Sequence, residues 1–382
     1  MKEFTFYNPT RIEFGSGKEE TIGAHIAITG ARKVLLCYGS ERIKREGLFD
    51  AVSNNLADHG IEYIELGGIV SNPVISKVRE GVELAKHHNV DAILSVGGGS
   101  VLDSAKAIAA GTHYDGDVWD LFIGKGEISS ALPLFAILTL AATGSEMNPY
   151  AVVTNEVTQE KLSIGNDYTR PVVSVLSPAL MAGVSRDYLA YSAADIISHL
   201  IEVYFTATVQ PAIQSRLVES LITTVIETTQ TLITNPGDDA ARGEFAWAAT
   251  LAQNGLILSG CDGFSYPNHA IEHSLSALFN VPHGAGLSVV MPAWMKWYKN
   301  RNTPQFERFA KYVFGLNSAD EGIAALEKWF EEIGTPTRLE QLNIKKADLT
   351  AIVGNIQINV KAFGIASDYP PEVVTEILTH AL

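Results

Sequence analysis

The first half of the chain is punctuated by short runs that are apolar without alternation, and these constrain the fold more than any other feature. Lys33 to Tyr38 (KVLLCY) is one such run, followed by a helix-like stretch to about His59. Glu62 to Leu66, a helix from about Ile75, and Ala92 to Val96 (AILSV) continue the series. Leu134 to Leu140 (LFAILTL) and Val172 to Leu176 (VVSVL) extend it. Strands apolar on both faces and separated by amphipathic helices indicate a parallel sheet covered on both sides, so the class is α/β. Phe4 to Phe14, interrupted by Asn8-Pro9, is expected to form an amino-terminal hairpin. After about Ala182 helical periodicity takes over, in Leu189 to Thr206, Ala212 to Ile233 and Gly243 to Leu258, with short Gly or Pro breaks. At 382 residues the chain exceeds what one hydrophobic core usually serves. Two domains are expected, 1–182 of α/β type and 183–382 all-helical, closely packed around a cleft.

Charge narrows the partners. The formal net charge is −15, with no basic patch to offset it, which argues against nucleic acid or an anionic membrane surface. The start, MKEFTFYNP, lacks the apolar core of a signal peptide, and the run from Ala131 to Ala142 is too short to span a bilayer. A cytoplasmic location is expected. Cys37 and Cys261 sit far apart in apolar contexts without metal-ligand spacing, as buried thiols do.

Three histidines fall between Tyr266 and Gly286 (YPNHAIEHSLSALFNVPHGAG), and upstream DIISH places Asp195 and His199 one helical turn apart. His269 and His273 share a helical face because residues four apart lie above one another, and His283 follows in a Pro-His-Gly bend. The commoner use of a buried histidine is a hydrogen bond to a carbonyl. Of the chain's ten histidines, however, His199, His269, His273 and His283 occupy apolar, small-residue surroundings, whereas His59, His87 and His88 stand among charges. Buried rings need partners, and one carboxylate with two or three imidazoles suits Fe(II), Zn(II), Co(II) or Ni(II) better than Mg(II) or Ca(II). Spacing alone does not say which histidine to leave out.

Gly97-Gly98-Gly99-Ser100 follows a buried strand and opens a helix from Val101 to Ala110. Backbone amides and the helix dipole there form a cradle for phosphate, although the pattern is not the usual GxGxxG fingerprint. Asp103 and Lys106 add polar groups beside it. A second signal is the small, hydroxyl-rich loop TLAATGSEMN, Thr139 to Asn148, whose side chains can bond a ribose or nicotinamide amide. Lys161 is a lone charge entering an apolar segment.

GGGSVLDSAK, TLAATGSEMN, DIISH and NHAIEHSLSALFNVPHGAG, in that order, together resemble the iron-containing, or group III, alcohol dehydrogenases. Their NADPH-dependent aldehyde reductase and butanol dehydrogenase branch looks nearest. The resemblance runs from about Phe6 to the last helix. It implies a Rossmann-like amino-terminal domain and a helical carboxyl-terminal domain, the architecture of dehydroquinate synthase, with one divalent metal, Fe(II) or Zn(II). In the family's pattern the ligands fall on Asp195, His199, His269 and His283. His273 then matches a substrate-side residue assigned to proton relay. The matching cofactor positions are Gly39, Ser40, Asn72, Gly97, Gly98, Gly99, Ser100, Asp103, Thr139, Thr143, Asn148 and Lys161.

NAD-preferring members similar to this chain carry an aspartate where Gly39 stands, which accepts bonds from the ribose and repels a 2′-phosphate. Here Gly39 leaves room, Ser40 can donate, and Arg42, Lys44 or Arg45 can supply positive charge, so NADP(H) is expected over NAD(H). The implied reaction is reversible hydride transfer between the nicotinamide and a small aldehyde or primary alcohol, in a homodimer. The rivals are a dehydroquinate-synthase-like lyase, which would need a basic cluster beside the histidines, and a non-catalytic dinucleotide- or metal-binding protein. Phe264, Tyr150 and Trp119 are candidate pocket-lining residues.

Overall fold

A computed structural model describes residues 1–382. The chain resolves into two compact units, one of Tyr7–Thr158 with Leu162–Gly183, the other of Met1–Phe6, Gln159–Lys161 and Val184–Leu382.

Six strands of the first unit form one all-parallel sheet. They are β1 (Arg11–Phe14), β2 (Lys33–Tyr38), β3 (Glu62–Leu66), β4 (Ala92–Gly97), β5 (Leu134–Leu138) and β8 (Val173–Leu176), in the spatial order β1-β8-β5-β4-β2-β3. Helices α1 (Ile22–Ile28), α2 (Arg42–Arg45), α3 (Leu48–Asp58), α4 (Ile75–His88), α5 (Gly99–Thr112) and α6 (Trp119–Phe122) connect them. Successive strand residues feed two separate cores. Leu35, Cys37, Ile93, Leu134 and Ala136 pack with Val78 of α4 and Ala105 and Ile108 of α5. Val34, Leu36, Leu94, Val96, Phe135 and Ile137 pack with Ile22 and Ile26 of α1 and Val52 and Leu56 of α3. Both faces are covered, which is why these strands read as uninterrupted apolar runs.

The sheet order positions the turns. From β2 the chain moves outward to β3 and then returns to the other side of β2 with β4, so the direction of progress reverses there. The carboxyl ends of strands at such a reversal are the usual ligand-binding edge of an open α/β sheet. Tyr38 pairs with Val96, and Gly97 with Leu138. Gly39, Gly98 and Thr139 therefore follow three adjacent strand ends.

One expectation needs correction. Phe4 to Phe14 does not form a hairpin. Only Arg11–Phe14 is a strand, it lies parallel to β8, and the amide of Lys2 donates instead to the carbonyl of Gly260. Pro9 has no N–H to give a ladder, and the Asn8 side chain is committed to the Met147 carbonyl, so the segment before β1 follows other partners. The hairpin in this part of the chain is β6 (Ala151–Asn155) with β7 (Glu160–Ile164), turned by Asn155, whose side chain accepts from the amides of Val157 and Thr158.

The second unit is helical: α7 (Arg186–Thr206), α8 (Ala212–Thr234), α9 (Asp239–Gln253), α10 (Pro267–Phe279), α11 (His283–Tyr298), α12 (Thr303–Phe314), α13 (Ala319–Ile333), α14 (Leu349–Ala362) and α15 (Pro371–Thr379). Ser185 caps α7 by accepting from the Tyr188 amide. From Ser192 to Thr206 every α7 residue is buried, so this is the central helix of the unit. No helix of the chain is long and apolar enough to cross a membrane.

Candidate functional site

Helical spacing along α7 places Asp195, His199 and Glu202 on one face at i, i+4 and i+7. His269, Glu272 and His273 lie at i, i+3 and i+4 on one face of α10, and His283 is the first residue of α11. Asp195 Oδ1 is the focus. His199 Nδ1 lies 3.7 Å from it, His269 Nε2 3.7 Å and His283 Nε2 3.6 Å. The structure therefore brings together Asp195, His199, His269 and His283. His273 stands apart, its ring 6.4 Å from that of His269 and 5.9 Å from that of His283, with Nδ1 donating to the Lys161 carbonyl at 3.2 Å.

Two glycines set the position of His283. A Cβ on Gly284 would lie 2.0 Å from the Tyr191 carbonyl oxygen, so the start of α11 can approach α7 this closely only without a side chain. A Cβ on Gly286 would lie 2.7 Å from Glu272 Cγ and Oε1. The HGAG sequence thus clears space for a carboxylate.

Glu202 and Glu272 were not singled out from the sequence, although each lies three residues beyond a candidate histidine. Both are wholly buried. His269 Nδ1 donates to Glu202 Oε2, and His283 Nδ1 donates to Glu272 Oε2. Each bond commits Nδ1 and turns Nε2 toward Asp195, leaving Nε2 as the nitrogen a cation can use once it is unprotonated. Outer carboxylates of this kind orient metal-bound histidines and raise their basicity.

The inner atoms fit a divalent cation. Asp195 Oδ1, His199 Nδ1 and His269 Nε2 are buried and have no hydrogen-bond partner, a state that costs about 1–3 kcal/mol for each group. Donor atoms of Asp195, His199 and His269 all lie within 4.8 Å of one another. The charges are arranged for it as well. Burial alone would raise Asp195, but His199, His269 and His283 hold it well below the usual carboxylate range. Burial pushes His199 down to about 3, keeping that ring neutral. For His269 burial is outweighed by Glu202 and Asp195, and its pKa is pushed up to about 10. Burial also opposes ionisation of Glu272, but His283 and Lys161 hold it at about 2. His273 is pushed well below its ordinary value, by burial first and then by the Lys161 ammonium.

The glycine turn lies in the other unit. Gly97 ends β4 and Gly98 precedes α5, whose first amides have no intrahelical partners and can meet an anion, beginning with Gly99 and Ser100. A Cβ on Gly99 would lie 2.6 Å from Thr143 Oγ1, so the glycine turn and the hydroxyl-rich loop touch. Thr139 donates its amide to the Gly97 carbonyl at 2.9 Å. Asp103 uses both oxygens on protein groups, Ser145 Oγ at 2.7 Å and the Val152 amide at 3.0 Å. Asn148 is similarly engaged, by Lys106, the Tyr150 amide and the Thr143 carbonyl. Lys106 is no surface charge. Its buried Nζ donates to Ser145 O and Oγ at 2.7 Å, to Asn148 O and Tyr150 O at 2.8 Å, and to Asn148 Oδ1 at 3.2 Å. Burial pulls its pKa down to about 7, while Asp103 and Glu146 act the other way.

Asn72 holds a left-handed backbone, φ 54°, immediately before Pro73. Gly39 follows β2, and Ser40 Oγ accepts from the Arg42 amide at 3.4 Å. Lys161 groups with the helical unit, its Nζ 3.5 Å from Glu272 Oε2 and 3.5 Å from His283 Nδ1. Of the pocket-lining candidates, Tyr150 is half exposed, whereas Trp119 is a core residue stacked on Phe122 at 5.0 Å. Phe264 packs beside Val203, Ala207 and Cys261.

Comparison with known proteins accounts for the combination. The iron-containing alcohol dehydrogenase family matches residues 9–178, and the carboxyl-terminal region of the same family matches residues 189–381. The chain belongs to the iron-containing alcohol dehydrogenase family. It is 37% identical to the probable NADH-dependent butanol dehydrogenase 2 of Bacillus subtilis, over the full length of both chains. It is 33% identical to the NADPH-dependent aldehyde reductase YqhD of Escherichia coli, over 94% of this chain and 93% of that one. A crystal structure of an NADH-dependent butanol dehydrogenase A from Thermotoga maritima superposes with a TM-score of 0.97 and 44% identity, covering 100% of this chain and 99% of that chain. The protein is an oxidoreductase acting between alcohols and aldehydes, with the parallel-sheet and all-helical parts expected of this family. The lyase reading is set aside by this likeness along the whole chain.

Proposed function

We propose that this iron-containing alcohol dehydrogenase reduces small aldehydes to primary alcohols with NADP(H), using one divalent cation, Fe(II) or Zn(II), held by Asp195, His199, His269 and His283. The observation carrying the ligand assignment is the single carboxylate oxygen facing three imidazole nitrogens, two of them on rings oriented by Glu202 and Glu272. When bound, the cation supplies Lewis acidity to a carbonyl oxygen. His273 is proposed as the proton relay. With Nδ1 donating to the Lys161 carbonyl and the ring kept neutral by burial, Nε2 is an acceptor suited to taking the alcohol proton in the oxidative direction. The dinucleotide is proposed to lie along Gly39, Ser40, Asn72, Gly97, Gly98, Gly99, Ser100, Thr139 and Thr143. Asp103 and Asn148 would hold the loop from behind, and Lys161 is proposed as a further cofactor-binding residue. The 1–182 and 183–382 division of labour, dinucleotide and metal, and a cytoplasmic homodimer belong to the same proposal.

The NADP(H) preference rests on the missing carboxylate at Gly39. A specific observation favours NAD(H) as the second reading. Arg42 is paired with Glu46 and bonded to the Gly183 carbonyl, and Lys44 is paired with Glu65 and Glu41, so two nearby cations are already committed. Butanal reduction followed with NADPH and NADH, before and after chelation and after addition of Fe(II) or Zn(II), tests the whole reading. Turnover unchanged by complete metal removal would overturn the metal role, and a higher kcat/KM with NADH would overturn the cofactor preference.

A further inference from the structure

The two histidine-bound carboxylates differ in their surroundings. Glu202 Oε1 accepts from the amides of Asn268 and His269, and Oε2 takes His269 Nδ1 and, at 3.4 Å, Ser198 Oγ. Its charge sits at the start of α10, where the helix dipole also favours it. Apart from His269 it forms no ion pair. Glu272 Oε1 accepts from Ser276 Oγ, while Oε2 is shared between His283 Nδ1 and the Lys161 ammonium. Lys161 Nζ also lies against the same His283 nitrogen, and its side chain is only 5% exposed. His283 itself is the most open of the three rings around Asp195, with 24% of its side chain exposed against 8% for His199 and 9% for His269.

We infer that Glu272 and Lys161 form an opposed pair of positioning residues that sets how strongly His283 holds the metal, making His283 the adjustable ligand of the site. The inference rests on the proposed ligand set. A carboxylate on Nδ1 increases the electron donation available at Nε2 and fixes the ring's aim. An ammonium sharing that carboxylate withdraws part of the benefit and places a like charge near the cation. His269 has an undivided carboxylate and no such opponent. The site is thus built with one firm arm and one tempered arm.

The test measures Co(II) affinity and the visible Co(II) absorption of the nucleotide-free protein. Leaving out nucleotide keeps any contact of Lys161 with the cofactor from entering the result. Glu272→Gln weakens binding about 10–100-fold. Lys161→Met tightens it about tenfold, a direction that damage to the fold would not produce. The double variant Glu272→Gln/Lys161→Met removes both buried charges together, avoids a stranded ion, and falls between the two single variants. Weaker or unchanged binding in Lys161→Met, or an unchanged affinity in Glu272→Gln, overturns the inference. His283→Ala separates the two levels. If it changes neither affinity nor spectrum, the ligand assignment has failed; if it removes binding while Glu272→Gln does nothing, only the positioning inference has failed.

Discussion

Replacing Glu202 by Gln keeps the size and one acceptor oxygen but removes the charge that faces His269. In the metal-free protein His269, raised to about 10 by Glu202 and Asp195 against burial, carries a proton at pH 7, some three units below that value. A cation cannot use the same nitrogen until that proton leaves, so loading at pH 7 releases about one proton from this ring. Because the folded pKa lies above the unfolded one, the proton's contribution to metal-free stability is complete below about pH 6.5 and is lost as pH rises toward about 10. Metal affinity moves the opposite way and increases across that window. Without the Glu202 charge His269 holds its proton less firmly, and the proton count of loading falls. Metal affinity nevertheless weakens about 10–100-fold, roughly 1.4–2.7 kcal/mol, because the outer carboxylate also orients the ring. Gln Oε1 can still accept from the Asn268 and His269 amides, which limits the loss of fold stability. Isothermal titration with Zn(II) in buffers of different ionisation enthalpy reads both quantities. Unchanged proton release together with unchanged affinity would refute the role assigned to Glu202.

His273→Ala should keep its metal, as measured by elemental analysis, while kcat falls by about 10²–10⁴, whereas His269→Ala should lose the metal itself; equal metal loss in the two would remove the distinction between them. Gly39→Asp should lower kcat/KM for NADPH at least about tenfold relative to NADH, read from steady-state kinetics with both cofactors. Its new Cβ meets the Ile69 carbonyl at 3.2 Å, so a small shift there is also expected. Lys106→Met leaves the carbonyls of Ser145, Asn148 and Tyr150 without their donor, at about 1–3 kcal/mol each, and calorimetry should show a fall of at least roughly 6 °C in melting temperature. A shift under 2 °C would contradict the importance given to that cage.

The sequence carried the sheet well because β2, β4, β5 and β8 are buried on both faces, and burial on both faces leaves a run that no amphipathic helix imitates. β2 begins and ends where the apolar run does, and the edge strand β3 (EYIEL) spans the segment expected, whereas β6 and β7, also five residues each, stand outside that series and were not expected. Trp119 was misread for a related reason. An aromatic in a loop-like stretch suggests a pocket, and only packing reveals the core beneath α6. At the site, Asp195, His199, His269 and His283 carry chemistry visible in their side-chain type. Glu202 and Glu272 were legible only as a period, three residues past each histidine, and glutamates on helices are ordinarily solvated. Lys106 was hidden in the same way, since its role depends on acceptors 39 to 44 residues away.

Three members of the site, Asp195, His199 and Glu202, are borne by one continuous stretch of α7, so the helix acts as a ruler of about 10 Å for the assembly. Insertion or deletion of one residue between them would turn everything beyond it by about 100° and carry Glu202 off the shared face. A substitution in this stretch keeps the phase, whereas a change of length breaks it. The turn joining β6 to β7 has no helical phase to keep, so a change in its length would leave the α7 row of Asp195, His199 and Glu202 in place.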